Sequence, residues 1–230
     1  MNKVHLCDCM EFMRNVPDKY YELAIVDPPY GIGIDGQKGD ARPYGSGKYH
    51  ASKWTRKQYE FKGWDKQPTN EYFDQLFRIS VNQIVWGGNY FIRHLSISKG
   101  WIFWYKGQNG LTMSDGELAW SSFDKPTRQI NLNRMALTIE GTIHPTQKPV
   151  ALYKWLLKNY AKPNDKIFDS HVGSGSIRIA CHDMGFDFEG CEIDKDYWKA
   201  QEERFNTHIS QLDLFSGKEL QESIMQGVLV

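Results

Sequence analysis

The sequence predicts an α/β chain: a mostly parallel sheet with helices on both faces and an antiparallel strand. Three observations carry that prediction. Short strand-like runs alternate with stretches of helical periodicity along the chain. The run LAIV at 23–26 is apolar, partly β-branched and bounded by breakers, as a buried strand would be. The stretch FDSHVGSGS at 168–176 leaves a strand, turns through Gly173 and Gly175, and opens a helix. With 230 residues, and roughly 150 residues per domain as a prior, one domain with elaborations has room for a sizeable core.

Taken in order, Val4–Leu6 reads as a strand, Met10–Asn15 as a helix and Leu23–Val26 as the second strand. Glu71–Ile79 has helical period, with Phe73, Leu76 and Phe77 on one face and Thr69 placed to cap it. Gln83–Trp86 and Trp101–Tyr105 are aromatic-rich strands, and Glu117–Phe123 is the candidate for antiparallel pairing. Pro149 opens a helix at Val150–Tyr160, because its fixed φ suits a first turn. Strand Lys166–Asp169, helix Ser176–Met184, strand Phe186–Glu192 and helix Tyr197–Phe205 complete a single domain over 1–207. The tail at 208–230 is expected to be flexible, since Asn206–Ser210 breaks the helical pattern.

Composition narrows the setting. Hydrophobic residues make up 40% of the chain, yet no apolar run approaches the ~20 residues of a membrane span. MNKVHLCDCM has no signal-peptide pattern, and Cys7, Cys9, Cys181 and Cys191 form no disulfide or CxxC spacing, so a cytoplasmic setting is expected. Net charge is zero, so nucleic acid would have to be met by a local patch. No metal site is expected: His5, Cys7 and Cys9 alternate with other residues on one strand and have no matching second pair.

Ligands of such sheets bind outside the carboxyl ends of the strands. Gly173 and Gly175 let backbone approach a ligand there, and a helix N-terminus favours a carboxylate or phosphate. Glu192 ends the next strand about twenty residues on, where nucleotide-binding sheets hold ribose hydroxyls. AIVDPPYGIG at 24–33 supplies a second site. Pro28 and Pro29 fix their own φ angles and bias Asp27 and Pro28 away from helical geometry. The result is a stiff hook offering only acceptors, the Asp27 carboxylate and the Pro28 carbonyl, beside the ring of Tyr30. Two rigid acceptors beside an aromatic face suit an amino group on a planar ring.

D-P-P-Y together with the strand, glycine turn and helix resembles the S-adenosylmethionine-dependent amino-group DNA methyltransferases. The box comes first and the glycine motif later, an order similar to the permuted β group of adenine-N6 and cytosine-N4 enzymes, which includes many phage and restriction–modification methylases. HPTQKP at 144–149 and IVWGGNYF at 84–91 also resemble segments of this group, and the likeness runs from Val4 to Phe205. It implies a Rossmann-like fold and methyl transfer to the N6 amine of adenine in duplex DNA, in a bacterial or phage-infected bacterial cell. By the same resemblance Asp27 and Pro28 hold the amine, Pro29 stiffens the hook, and Tyr30 stacks on a flipped base. Asp169, Gly173, Ser174 and Gly175 meet the methionine part of the cofactor, Lys148 and Thr146 its carboxylate, Glu192 its ribose and Asp8 its adenine. One departure stands out: the family's D-P-F-x-G-S-G is here Asp169-Ser170-His171-Val172-Gly173-Ser174-Gly175. A histidine in place of the aromatic is expected to weaken cofactor affinity or make it depend on pH.

DNA contact is expected from two places. Residues 36–66 interleave Lys53, Arg56, Lys57, Lys62 and other basic residues with aromatics, a pattern suited to phosphates and stacked bases, and this loop is expected to order on binding. Residues 106–143, with Lys106 and Arg128, occupy the family's place for target recognition. QLDLF at 211–215 resembles the pentapeptide that docks on the bacterial sliding clamp, with Gln211, Leu212, Leu214 and Phe215 as its anchors. Related enzymes are often dimers. Two other readings stay open: a cytosine-N4 methyltransferase, which more often has serine at the place of Asp27, and a non-catalytic DNA- or clamp-binding protein with a decayed cofactor site.

Overall fold

The computed structural model describes residues 1–36, 60–107, 114–133 and 141–225. Lys53, Arg56 and Lys57 lie outside the described residues. The strands are β1 (Asn2–Leu6), β2 (Tyr21–Val26), β3 (Ser80–Trp86), β4 (Ile102–Tyr105), β5 (Gly116–Ser121), β6 (Arg128–Asn131), β7 (Lys166–Asp169) and β8 (Asp187–Glu192). They form one sheet in the order β1-β8-β7-β2-β3-β5-β4-β6. Every pairing is parallel except those of β5, which runs antiparallel to β3 and β4. The expected mixed sheet and its antiparallel strand are therefore present.

The helices are α1 (Cys9–Arg14), α2 (Asn70–Ile79), α3 (Val150–Tyr160), α4 (Ser176–Met184) and α5 (Lys195–Met225). Two apolar cores, one on each side of the sheet, show how they are laid out. Leu152, Leu156 and Leu157 of α3 and Ile177 and Ala180 of α4 pack with Leu23, Ile25, Ile84 and Ile167. Met13 of α1 and Tyr72, Phe73, Leu76 and Ile79 of α2 pack with Ala24, Val26, Val85 and Phe168. Alternate residues of β2 thus feed opposite cores, as the two-residue strand period requires. Each large side chain so buried contributes ~1.5–3 kcal/mol, and the sheet they clamp fixes where its carboxyl ends stand.

Two boundaries depart from the sequence reading. β6 was not anticipated: RQIN buries only Ile130, so no apolar pattern marks it, and its edge position comes from pairing with β4. The helix expected to stop at Phe205 continues as α5 to Met225, so its backbone runs through the proposed break and through QLDLF. Asn, Thr, His, Ile and Ser each cost only up to ~0.7 kcal/mol relative to Ala in a helix. Here Phe205 is buried and His208 Nε2 meets Asp183 Oδ1 at 2.7 Å, which holds that turn onto the domain. Gln211 is exposed; the side chains of Leu212, Leu214 and Phe215 lie outside the described residues.

Candidate active site

At the boundary between β7 and β2 the chain leaves in opposite directions, through α4 to β8 and through α2 to β3. A crevice at such a switch point is where doubly wound sheets bind ligands. A cavity of about 580 Å³ occupies this edge, lined by the segments after β1, β2, β7 and β8 and by the tip of the β4–β5 pair. That volume lies within the range of small-molecule sites. The cavity brings together Asp8, Asp27, Pro28, Pro29, Tyr30, Thr146, Lys148, Gly173, Ser174 and Glu192.

One end of the cavity lies over β1, β8 and β7. Gly173, at φ 53°, makes the left-handed turn off β7, and its N–H donates to Glu192 Oε2 at 2.8 Å. Glu192 Oε1 accepts from Asp194 N at 2.9 Å, and burial pushes the Glu192 carboxyl up. Asp8 caps α1, accepting from Met10 N at 2.7 Å, while still facing the cavity. Asp169 does not reach the cavity. Its carboxyl is 1% exposed and accepts from His171 N at 3.0 Å, and burial raises its pKa to about 8. It shapes the turn from within. Gly175, at φ 73°, stands at the N-terminus of α4 behind the lining. His171 sits between Ser170 Oγ, at 2.8 Å from Nδ1, and the Tyr72 ring, at 5.6 Å, and burial lowers its pKa to about 4.

The other end lies over β2, β3, β5 and β4. Asp27 follows β2, and the Tyr30 hydroxyl donates to its Oδ1 at 2.6 Å. Tyr30 stacks on Tyr90 with centroids 4.9 Å apart, so the ring expected to receive a base already has one aromatic neighbour. Gly87, at φ 66°, makes room for it: a Cβ there would fall 2.2 Å from the Tyr30 ring. The IVWGGNYF segment therefore forms the wall behind D-P-P-Y.

Lys148 departs from its expected role. It is 3% exposed and its ammonium bonds the Asp27 carboxylate, with Glu117 Oε2 at 3.2 Å. Burial pulls its pKa down, but Asp27 and Glu117 outweigh this and raise it. A cation this deep must be paired, and the acids of β2 and β5 are the partners within reach. Glu117 also bonds Lys106; burial would raise its carboxyl, but Lys148 and Lys106 bring it down to about 2. Glu117 was not singled out from the sequence, although an acid in the otherwise apolar ELAW is a readable irregularity; Lys106, expected in the target-recognition stretch, is here paired with Glu117.

Between the two ends runs a strap, residues 60–67, most of which falls in the expected DNA-contacting loop. The Asp35 carboxylate accepts from the backbone N–H of Lys62 and Trp64, and Asp65 accepts from Gly31 N at 2.7 Å and Ile34 N at 2.8 Å. Lys62 Nζ bonds Asp194 at 2.8 Å and Asp196 at 2.7 Å, so this lysine, expected to face phosphate, is already neutralised. Trp64 and Tyr197 flank His144, with ring centroids at 5.5 and 4.3 Å. Burial lowers the His144 pKa to about 4, and its Nδ1 lies 3.0 Å from the Thr146 hydroxyl. Arg128 is not among the residues brought together: it opens the exposed edge strand β6, four strands from β2, outside the cavity lining. No group of three or more His, Cys, Asp or Glu among the described residues is placed to hold a metal.

Comparison with known proteins bears on the family and the fold. The chain is 24% identical over 254 aligned residues to the Type II methyltransferase M1.MboII of Moraxella bovis, covering 86% of this chain and 94% of that one. It is also 24% identical to a putative methylase, YubD, of Escherichia coli, over 86% of this chain and 87% of that one. Its fold matches that of M1.HpyAVI bound to SAM at TM-score 0.58 and 18% identity, covering 89% of this chain and all of the other. The cytosine-N4-specific PvuII DNA methyltransferase matches at TM-score 0.56 and 15% identity, over 89% of this chain and 86% of that one. A family model described as DNA methylase, for N6 and N4 methyltransferases, matches residues 46–203. With more than half of its length matched, and with a cavity built at the switch point of its sheet, the chain belongs to the DNA methylase family of amino-methyltransferases, which use S-adenosylmethionine.

Proposed function

We propose that the chain methylates the N6 amine of adenine turned out of duplex DNA. The observation that carries this reading is the Asp27 carboxylate, 14% exposed, standing on rigid strand-end backbone at the opposite end of the cavity from Glu192. A carboxylate there accepts from an exocyclic amine and, with the Pro28 carbonyl, favours the pyramidal nitrogen whose lone pair can react. It also stabilises positive charge developing on that nitrogen. Tyr30, held through its hydroxyl on Asp27, keeps the carboxylate in one orientation.

The residues fit S-adenosylmethionine. Glu192 offers carboxylate oxygens to ribose hydroxyls, Asp8 an acceptor to the adenine, and Gly173 and Ser174 a side-chain-poor turn to the methionine part. Bound there, the cofactor supplies an already activated methyl group. The chain's own contribution is alignment: both ends of the cavity hang from strand termini of one sheet, which fixes the separation that methyl transfer needs. Trp64, His144 and Tyr197 cover the Glu192 end and limit water.

The test is chemical identity of the product. DNA treated with the enzyme and labelled S-adenosylmethionine is digested to nucleosides. N6-methyladenine is expected; N4-methylcytosine would move the assignment to cytosine, and unlabelled DNA would leave a binding protein.

A further inference from the structure

Asp27, Lys148, Glu117 and Lys106 form a chain of alternating charges from four separate segments: the end of β2, the 142–149 stretch, β5 and the residue after β4. The family resemblance gives no role to Glu117 and places Lys106 only in the stretch for target recognition. Lys148 sits between two carboxylates, with the Trp86 ring 5.1 Å from its ammonium on another side. This placement poses a problem for an acceptor residue. A full positive charge bonded to Asp27 weakens its pull on an amine and repels the charge that develops there as the nitrogen reacts.

Glu117 answers that problem. Its Oε2 forms an ion pair with Lys148 at 3.2 Å and makes no well-formed hydrogen bond, while its Oε1 is held by Lys106. Lys106 is itself set over the Trp104 ring at 4.9 Å, which favours keeping Glu117 beside Lys148. We propose that Glu117 is a positioning residue for methyl transfer, sharing the charge of Lys148 so that Asp27 remains an effective acceptor for the target amine. Glu117 touches no reacting atom; it acts through Lys148. This rests on the amine-binding reading of Asp27.

The experiment uses the full chain, with turnover measured on DNA at saturating cofactor and S-adenosylhomocysteine affinity measured by calorimetry. Glu117→Gln should lower kcat on the order of ten- to a hundredfold, from a full charge a few ångströms from the developing one. KM for DNA and S-adenosylhomocysteine affinity should stay within about threefold. Glu117→Asp, which keeps the charge, should recover kcat to within about fivefold of wild type. Adding Glu117→Gln to Lys148→Met should cost little more than Lys148→Met alone, because the charge to be shared is gone. Wild-type kcat in Glu117→Gln, or additive losses in the double variant, overturns the inference. If Glu117→Gln does not fold, Glu117→Asp decides, and a loss beyond about tenfold overturns it. A wild-type enzyme that labels no DNA overturns the amine-binding reading, and this inference with it.

Discussion

Replacing Asp27 with alanine separates what the carboxylate does for the fold from what it does for the target. In the folded protein it accepts from Tyr30 at 2.6 Å and pairs with Lys148, which is 3% exposed. Stripping a buried cation of all its partners costs ~3–5 kcal/mol. Lys148 keeps Glu117 at 3.2 Å, so the expected loss of stability is the smaller part of that, about 1–2 kcal/mol. Catalysis should suffer more. Removing one preorganised polar group aimed at developing charge lowers kcat ~10²–10³-fold, or ~2.7–4 kcal/mol. Binding of S-adenosylhomocysteine should hold nearly constant, because Glu192, Gly173 and Asp8 lie over other strands. Urea unfolding, calorimetry and turnover on DNA read the three quantities separately. If Asp27→Ala keeps more than about a tenth of wild-type turnover, a barrier change under ~1.4 kcal/mol, the role assigned to the carboxylate is wrong.

Two further outcomes follow from charge. Reversing Lys53, Arg56 and Lys57 together should weaken DNA binding at every sequence and flatten its salt dependence, by ~0.9 in slope for each phosphate that is no longer neutralised. Lys62→Met should leave the slope alone, since Asp194 and Asp196 already neutralise that lysine; an unchanged slope in the triple variant makes the loop bystander surface. Stability should fall with acid, because His144 and His171, both lowered to about 4, stay neutral in the fold while the unfolded chain protonates them near 6.5. That contribution is full above pH 6.5 and lost as pH falls toward 4; Asp169, raised to about 8, opposes it, because the fold keeps its proton where the unfolded chain has lost it. His171→Phe should therefore shrink the slope of unfolding free energy between pH 4.5 and 6 by up to about one proton, ~1.4 kcal/mol per pH unit, and equal slopes in the two proteins would refute the assignment.

What the sequence made legible was local. The hook at Asp27 and the turn at Gly173 depend on proline and glycine backbone limits that neighbours do not change, so their placement at strand ends could be read directly. The alternation of strands and helices gave the layering for the same reason. What stayed hidden depends on distant partners. Lys148 finds its acid 121 residues away, and Lys62 finds Asp194 at a separation of 132, which no periodicity announces. The edge strand β6 is equally unmarked, since a single buried side chain, Ile130, leaves no pattern. The continuation of α5 past Phe205 runs through residues of weak helix preference, where His208 bonds Asp183 across the fold.

The same distinction explains how the chain tolerates histidine where its family carries an aromatic. On sequence grounds an imidazole beside the cofactor turn should bring titration near neutral pH. In the fold His171 is half-buried in the cavity lining, and burial lowers its pKa to about 4. Its Nδ1 is matched to Ser170 Oγ at 2.8 Å, which in turn meets the Tyr72 hydroxyl at 2.6 Å, so its polarity is satisfied within the protein. Between pH 6 and 8 the ring is therefore neutral, set edge-on to Tyr72, and fills the place of an aromatic side chain. The pH dependence expected of the substitution moves out of cofactor binding and into acid stability. The paired charges from Asp27 to Lys106 lie at the other end of the cavity, away from this ring.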